Sequence, residues 1–181
     1  MAENSNQLRM TVYASLFAAL VAVGAFISIP IGPVPIVLQN FFVLLAALLL
    51  GPRWGTAAVS VYLLAGICGL PVFAGGSAGI GRILGPTGGY LIGYLPAVAI
   101  TAYLSEKGDG RKLTDIAAMV CGSLLIYGCG VPWLKMVTGM PFSKALAVGM
   151  APFIIGDVLK IAAAVPVAKA LRPIVQGRDG K

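Results

Sequence analysis

Two ionisable residues of opposite charge, Asp157 and Lys160, lie inside the last long apolar run of the sequence, which covers residues 151–164. They are three positions apart, so on a helix both side chains lie on the same face. Taking such groups out of water is costly, and in apolar segments they usually face a cavity, a partner or a ligand. We therefore expect a ligand to contact this face. The alternative is a structural ion pair, whose net contribution to stability is often near zero.

Several other polar side chains could complete a binding site. The Asp157 carboxylate can accept hydrogen bonds from ligand N–H groups, and Lys160 can donate to a carbonyl or a carboxylate. Arg82, in a glycine-rich loop, can meet a second anionic group. Gln39 and Asn40 begin a predicted helix, where they are available to a ligand or as helix caps. The sequence has no histidine, nucleophile–base pair or metal-ligand cluster, so we expect neither catalysis nor a metal or cofactor.

The composition is that of an integral membrane protein. Of 181 residues, 59% are hydrophobic and 10% are charged, whereas soluble domains are about one quarter charged. A membrane-spanning helix needs about 20 apolar residues, so the chain has room for about five to seven of them in a single domain, residues 1–181. The net charge of +7 comes from basic residues in short loops, which indicates membrane topology rather than nucleic-acid binding.

The apolar runs predict an all-α fold with six transmembrane helices. We place them at about residues 10–29, 37–50, 56–70, 89–104, 115–134 and 144–171. Pro152 and Pro166 are expected to kink the last helix without ending it, and Thr114 or Asp115 is expected to cap the fifth. Six helices place both termini on one side of the membrane. Most basic residues then share that side, which makes it cytoplasmic: Arg9, Arg53, Lys107, Arg111, Lys112, Lys169, Arg172, Arg178 and Lys181.

Two irregular segments lie on the opposite, outer side in this topology. Residues 30–35 contain three prolines and predict a rigid loop, part of which dips into the protein because the following helix is short. Residues 71–90 form a long glycine-rich connection, and a loop of that length in a small protein is usually functional. Residues 51–55 predict a tight turn on the inner side. The pattern predicts an outward-opening cavity above Asp157 and Lys160 for a small, partly polar molecule.

Small residues recur along the first helix at Ala14, Ala18 and Ala22. With four-residue spacing they lie on one helix face, and this spacing lets another membrane helix approach closely. The pattern is equally consistent with close packing inside the chain.

Several longer motifs resemble one family. The segments 33-PVPIVLQ-39, 48-LLLGPR-53, 69-GLPVFAGG-76 and 85-GPTGGYLIG-93 are similar, in order and spacing, to the BioY family of biotin-specific S components of energy-coupling factor (ECF) transporters. The similarity is dense from residue 30 to residue 94 and resumes at Asp157-x-x-Lys160.

The resemblance implies a fold, a function and partners. It implies the six-helix ECF S-component fold, in a subunit that binds biotin from outside the bacterial cell membrane. It further implies a transmembrane coupling subunit and two cytoplasmic ABC-type ATPases, which would hydrolyse the ATP. Ala14, Ala18 and Ala22 would contact the coupling subunit.

Biotin offers two ureido N–H groups, a ureido carbonyl, an apolar thioether ring and a carboxylate. Asp157 suits the N–H groups, whereas Lys160 suits either the ureido oxygen or the carboxylate, a choice that the spacing leaves open. Gln39 and Arg82 are further polar candidates, and the apolar walls are assigned to Val34, Phe73, Tyr90 and Phe153. The alternatives are an S component for thiamin or riboflavin, and a helical membrane scaffold without a transport role.

Overall fold

The computed structural model describes residues 2–30 and 32–176, and most of them are helical. The described helices are α1 (Ala2–Phe26), α2 (Gln39–Ile67), α3 (Ile80–Leu84), α4 (Gly88–Lys107), α5 (Lys112–Thr138), α6 (Phe142–Gly149) and α7 (Ala151–Gln176). Five helical stretches are long and apolar enough to cross a membrane: Ser5–Phe26, Gln39–Ile67, Gly88–Lys107, Lys112–Thr138 and Phe142–Gln176. The chain is therefore a multi-pass membrane protein.

Helix α2 folds back on itself at Gly51, whose backbone is not helical (φ 74°, ψ 179°). The Gln39 Nε2 atom donates a hydrogen bond to the Tyr62 hydroxyl at 2.7 Å. In a straight helix these residues would be about 35 Å apart. The two arms, 39–50 and 52–67, are thus antiparallel, as expected for the predicted helices 37–50 and 56–70. The observed turn is shorter than the predicted turn at residues 51–55. Pro52 already lies in the first turn of the second arm, where a helix needs no N–H donor at that position.

The proline-rich loop is closed by a short antiparallel ribbon. Strand β1 (Ser28–Ile29) pairs with β2 (Ile36–Val37), with Ser28 opposite Val37 and Ile29 opposite Ile36. The predictions that the first helix extends to residue 29 and that the second begins at residue 37 are therefore wrong. Both positions carry β-branched side chains, which favour extended backbone, and Ile29 also precedes Pro30, which disfavours helical backbone there.

The predicted last helix, 144–171, is divided into α6 and α7. The break lies at Met150, which has a non-helical backbone (φ −135°, ψ −51°). Pro152 has no N–H to continue the ladder, and it disfavours helical backbone in the residue before it, so it begins a new helix here. The prediction of a kink without interruption at Pro152 is wrong. At Pro166 the helix continues, as predicted, because α7 extends through this residue to Gln176.

Helix α5 begins earlier than predicted, at Lys112, so neither Thr114 nor Asp115 caps it. The Thr114 hydroxyl instead donates to the Arg111 carbonyl at 2.8 Å. Asp115 is buried, and its carboxylate accepts hydrogen bonds from Arg172. The Arg172 Nη2 atom lies 3.1 Å from both carboxylate oxygens.

The bundle has two chemically different ends. At one end, Arg172 near the end of α7 also donates to the carbonyl oxygens of Gly110 at 2.9 Å and Leu48 at 3.3 Å. Arg9 in α1 donates to the Ile174 carbonyl at 3.0 Å, so α1 begins where α7 ends. We call this the termini end. The proline-rich loop and the segment 68–87 lie at the opposite end, which we call the loop end.

Candidate functional site

A cavity of about 570 Å³ opens at the loop end, between the two irregular segments and helices α2, α4, α5 and α7. This volume includes space that is open to the solvent. Its apolar wall includes Val34, Phe73, Tyr90, Leu91, Ile126 and Phe153. Its polar lining includes Gln39, Asn40, Arg82, Thr87, Tyr127 and Lys160.

Lys160, on α7, has partners for all three of its ammonium protons. Its Nζ atom lies 2.7 Å from Asn40 Oδ1, 2.9 Å from the Val37 carbonyl and 3.4 Å from Asp157 Oδ1. The side chains of Lys160 and Asp157 are 12% and 9% exposed, so the two residues form an ion pair, the alternative left open by the sequence, that is largely shielded from water. Through Val37 the pair also fixes the ribbon that closes the proline-rich loop.

Asp157 lies behind the cavity wall rather than on it. Its Oδ1 atom accepts a hydrogen bond from Asn40 Nδ2 at 3.0 Å, and its Oδ2 atom accepts one from the Tyr127 hydroxyl. Among the described residues, the three that separate it from the cavity are Asn40, Tyr127 and Lys160, all of which line the cavity. Direct contact between Asp157 and a ligand N–H stays a prediction, and it requires one of these neighbours to move aside.

The charges of Asp157 and Lys160 determine which hydrogen-bonding groups of Asn40 and Tyr127 remain available to the cavity. An ammonium only donates and a carboxylate only accepts, so the Asn40 amide must direct Oδ1 to Lys160 and Nδ2 to Asp157. The Tyr127 proton points at Asp157, which leaves the phenolic oxygen as an acceptor. One N–H of Asn40 and the lone pair of Tyr127 remain for a ligand. A donor beside an acceptor is complementary to an amide or a cyclic urea.

The apolar candidates from the sequence lie together in the wall. Phe73 is fully buried and packs edge-on against Tyr62, with ring centroids 5.6 Å apart. The Tyr90 hydroxyl donates to the Gly149 carbonyl at 2.8 Å, which connects α4 to the end of α6. Val34 and Phe153 are buried and line the same cavity. The structure thus brings these four residues together in one wall, and their contact with a ligand stays a prediction.

The two remaining polar candidates, Gln39 and Arg82, also line the cavity. Gln39 is 2% exposed, and its amide is held by the hydrogen bond to Tyr62 that joins the two arms of α2. Arg82 is half-buried on the short helix α3, and its guanidinium lies 3.5 Å from the Ala74 carbonyl. Arg82 therefore brings a cation to the part of the cavity formed by the glycine-rich segment.

The small residues of α1 are directed inward. Ala14 and Ala18 are each 8% exposed and belong to the apolar core, while Ala22 is half-buried. Small side chains at these positions allow close packing within the chain, the alternative left open by the sequence. This placement does not support the prediction that Ala14 and Ala18 contact another subunit.

Sequence reasoning missed Tyr127 and Thr87 as site residues. Tyr127 stands in an otherwise apolar stretch of α5, and a buried tyrosine hydroxyl generally needs a partner. That rule could have singled it out. Thr87 lies within the 85-GPTGGYLIG-93 motif, but nothing in its spacing indicates that its side chain reaches the cavity.

The sequence is similar to those of known transport proteins. The sequence model described as the BioY family matches residues 1–177. The probable biotin transporter BioY of Pyrococcus horikoshii is 48% identical over 158 residues, which is 87% of this chain and 93% of that protein. The biotin transporter BioY of Thermotoga maritima is 41% identical over 167 residues, 92% of this chain and 98% of that protein.

The fold is similar to that of a solved transporter subunit. A crystal structure at 2.1 Å of the S-component for biotin from an ECF-type ABC transporter superposes with a TM-score of 0.88 at 30% sequence identity. The superposition covers 93% of each chain.

Proposed function

The chain belongs to the BioY family, and from this premise we propose that it is the biotin-capturing S component of an ECF-type transporter. Biotin would enter from the outer side of the membrane and would be released inward through a partner module. The chain itself would be a transporter subunit rather than an enzyme, with ATP hydrolysis on the partner ATPases.

One observation supports this proposal most strongly, namely the polar cluster that Asn40, Tyr127 and Lys160 form in the cavity lining, with Asp157 behind them. A cyclic urea presents N–H donors beside a carbonyl acceptor, and the cluster presents an acceptor beside a donor. The apolar wall suits the thioether ring. Within this assignment the ureido group binds at the cluster, and Asp157 either orients Asn40 and Tyr127 or accepts a ureido N–H after one of them moves.

The proposed topology follows from the charge distribution and from the fold of α2. We count six membrane crossings: α1, the two arms of α2, α4, α5 and α7. Basic residues of the described chain are concentrated at the termini end, where Arg9, Arg53, Lys107, Arg111, Lys112, Lys169 and Arg172 lie. Positive-inside asymmetry then places this end in the cytoplasm of a bacterial cell and the cavity on the outer side.

The proposed partners are a transmembrane coupling subunit and two ABC-type ATPases. We assign the coupling contact to the exposed face of α1, because Ala14 and Ala18 are buried. Ser15 and Ala19 are exposed there and repeat the four-residue spacing of small side chains.

Titration of the purified protein with biotin tests the proposed function. In lipid nanodiscs the wild type should bind biotin with a Kd below about 1 μM, corresponding to more than about 8 kcal/mol. Excess thiamin or riboflavin should not displace labelled biotin. Weaker binding of biotin, or displacement by either vitamin, would contradict the assignment. If the chain is instead a scaffold without a ligand, none of biotin, thiamin and riboflavin should stabilise it.

A further inference from the structure

The hairpin of α5 and α6 carries an unbalanced positive charge at the loop end. Lys135 lies in the last turn of α5 and Lys144 near the start of α6. Both residues are exposed, and within the described chain neither takes part in an ion pair. In residues 4–105 and 116–178, which include every connection at the loop end, the only carboxylate side chain is Asp157, and it is paired with Lys160. No carboxylate therefore offsets the two exposed cations.

The position of Lys144 is unfavourable by two general rules. In the proposed topology it lies on the outer side of the membrane, where short loops of membrane proteins carry few basic residues. It is also the third residue of α6, close to the positive end of the helix dipole, where a cation is disfavoured. Lys135 breaks only the first rule, because the last turn of α5 favours a cation. A cation kept at Lys144 against both rules points to an anion as its partner.

The hairpin of α5 and α6 borders the cavity but does not supply these two lysines to its lining. The Trp133 Nε1 atom, near the end of α5, donates to the Gly85 carbonyl at 2.9 Å. The hydroxyl of Tyr90, which lines the cavity, donates to the Gly149 carbonyl at the end of α6 at 2.8 Å. Neither lysine is among the lining residues. Their charges therefore act on a ligand that approaches the cavity, across solvent rather than by contact.

We propose that Lys135 and Lys144 steer an anionic ligand to the cavity and so increase its rate of association. The inference rests on the proposed function, since biotin carries a carboxylate that is ionised at neutral pH. Exposed charges of one sign raise the local concentration of an oppositely charged ligand, and salt screens the effect. Charges at the rim of a site change the association rate and its salt dependence more than the dissociation rate. The two lysines thus favour anionic over uncharged ligands before any contact is made.

The test measures association and dissociation rates of radiolabelled biotin and of biotinol, in which an uncharged alcohol replaces the carboxylate. The protein is held in nanodiscs of uncharged phosphatidylcholine at about 10 mM salt, where the Debye length is about 30 Å. The double variant Lys135→Gln, Lys144→Gln should bind biotin about threefold more slowly than the wild type. Glutamate at both positions doubles the change in charge and should slow binding about tenfold. Dissociation of biotin and both rates for biotinol should stay unchanged, and about 1 M salt should abolish the difference between variants.

Lys112→Gln is the matched control, because it removes an exposed cation from the opposite end of α5, about 35 Å from Lys135. It should leave the association rate of biotin unchanged. The inference is overturned if the double glutamine variant associates as fast as the wild type at low salt, or if biotinol or Lys112→Gln is slowed equally. Unchanged association together with lost thermal stabilisation by phosphatidylglycerol would assign the two lysines to lipid headgroups and would also overturn it. Failure of the wild type to bind biotin would instead refute the proposed function.

Discussion

Replacing Asp157 by asparagine should cause both instability and loss of affinity. The substitution keeps the shape of the side chain but removes the countercharge of Lys160, which lies 3.4 Å away with only 12% of its side chain exposed. Removing one member of a buried ion pair typically costs 3–5 kcal/mol. Lys160 keeps two other acceptors, Asn40 Oδ1 and the Val37 carbonyl, so we expect the lower end, about 3 kcal/mol.

The loss of affinity follows from the number of donors around Asp157. Asn40, Tyr127 and Lys160 all donate to its carboxylate, and an amide cannot serve all three because its nitrogen is itself a donor. At least one neighbour must therefore turn away from the orientation that suits a cyclic urea. Loss of one hydrogen bond to the ligand is worth about 1.4 kcal/mol, so biotin should bind at least about tenfold more weakly.

The chain provides a matched control in its second buried ion pair, Asp115 with Arg172 at the termini end. Asp115 is 1% exposed, and neither residue lines the cavity. Asp115→Asn should lower the unfolding temperature by a similar amount while leaving the Kd for biotin unchanged in calorimetric titrations. If Asp157→Asn also binds biotin as tightly as the wild type, the Asp157–Lys160 pair is structural and our site assignment is refuted.

Two further substitutions test the fold-back of α2 and the proposed partner surface. Gly51→Ala should destabilise the protein by more than about 1 kcal/mol, since its positive φ is strained for alanine. Gly128→Ala, with open space around the Cβ, should be neutral or stabilising in the same unfolding assay, and equal effects would contradict the fold-back argument. Ala19→Leu should prevent co-purification with the coupling subunit, whereas Ala117→Leu on α5, at a position that is also exposed, should not. Retention of the subunit by Ala19→Leu would rule out the assigned face of α1.

The features that could be predicted from the sequence are those with a local physical cause. Asp157 and Lys160 stand out because charges are costly in an apolar run, and their spacing alone places them on one face. Gly51 with Pro52 predicts the chain reversal, because glycine permits the positive φ and proline begins the next helix. The proline-rich and glycine-rich loops are equally visible, and their position at the cavity follows from the order of the helices.

The features that could not be predicted depend on how the helices rotate against each other. Whether Ala14 and Ala18 face a partner or the core is decided by the packing of α1 on the rest of the bundle, not by their spacing. Tyr127 joins the site only because α5 turns that face towards α7. The break at Met150 was missed because a proline such as Pro152 has the same local effect whether it kinks a helix or begins one.

The measurement that most directly tests the central claim is a structure of the purified protein with biotin. We predict that the ureido ring lies against Asn40, Tyr127 and Lys160, and that the thioether ring packs on Phe73 and Phe153. Biotin in the reverse orientation would contradict the assignment of the ureido group to this polar cluster. Biotin bound outside this cavity would contradict the site itself.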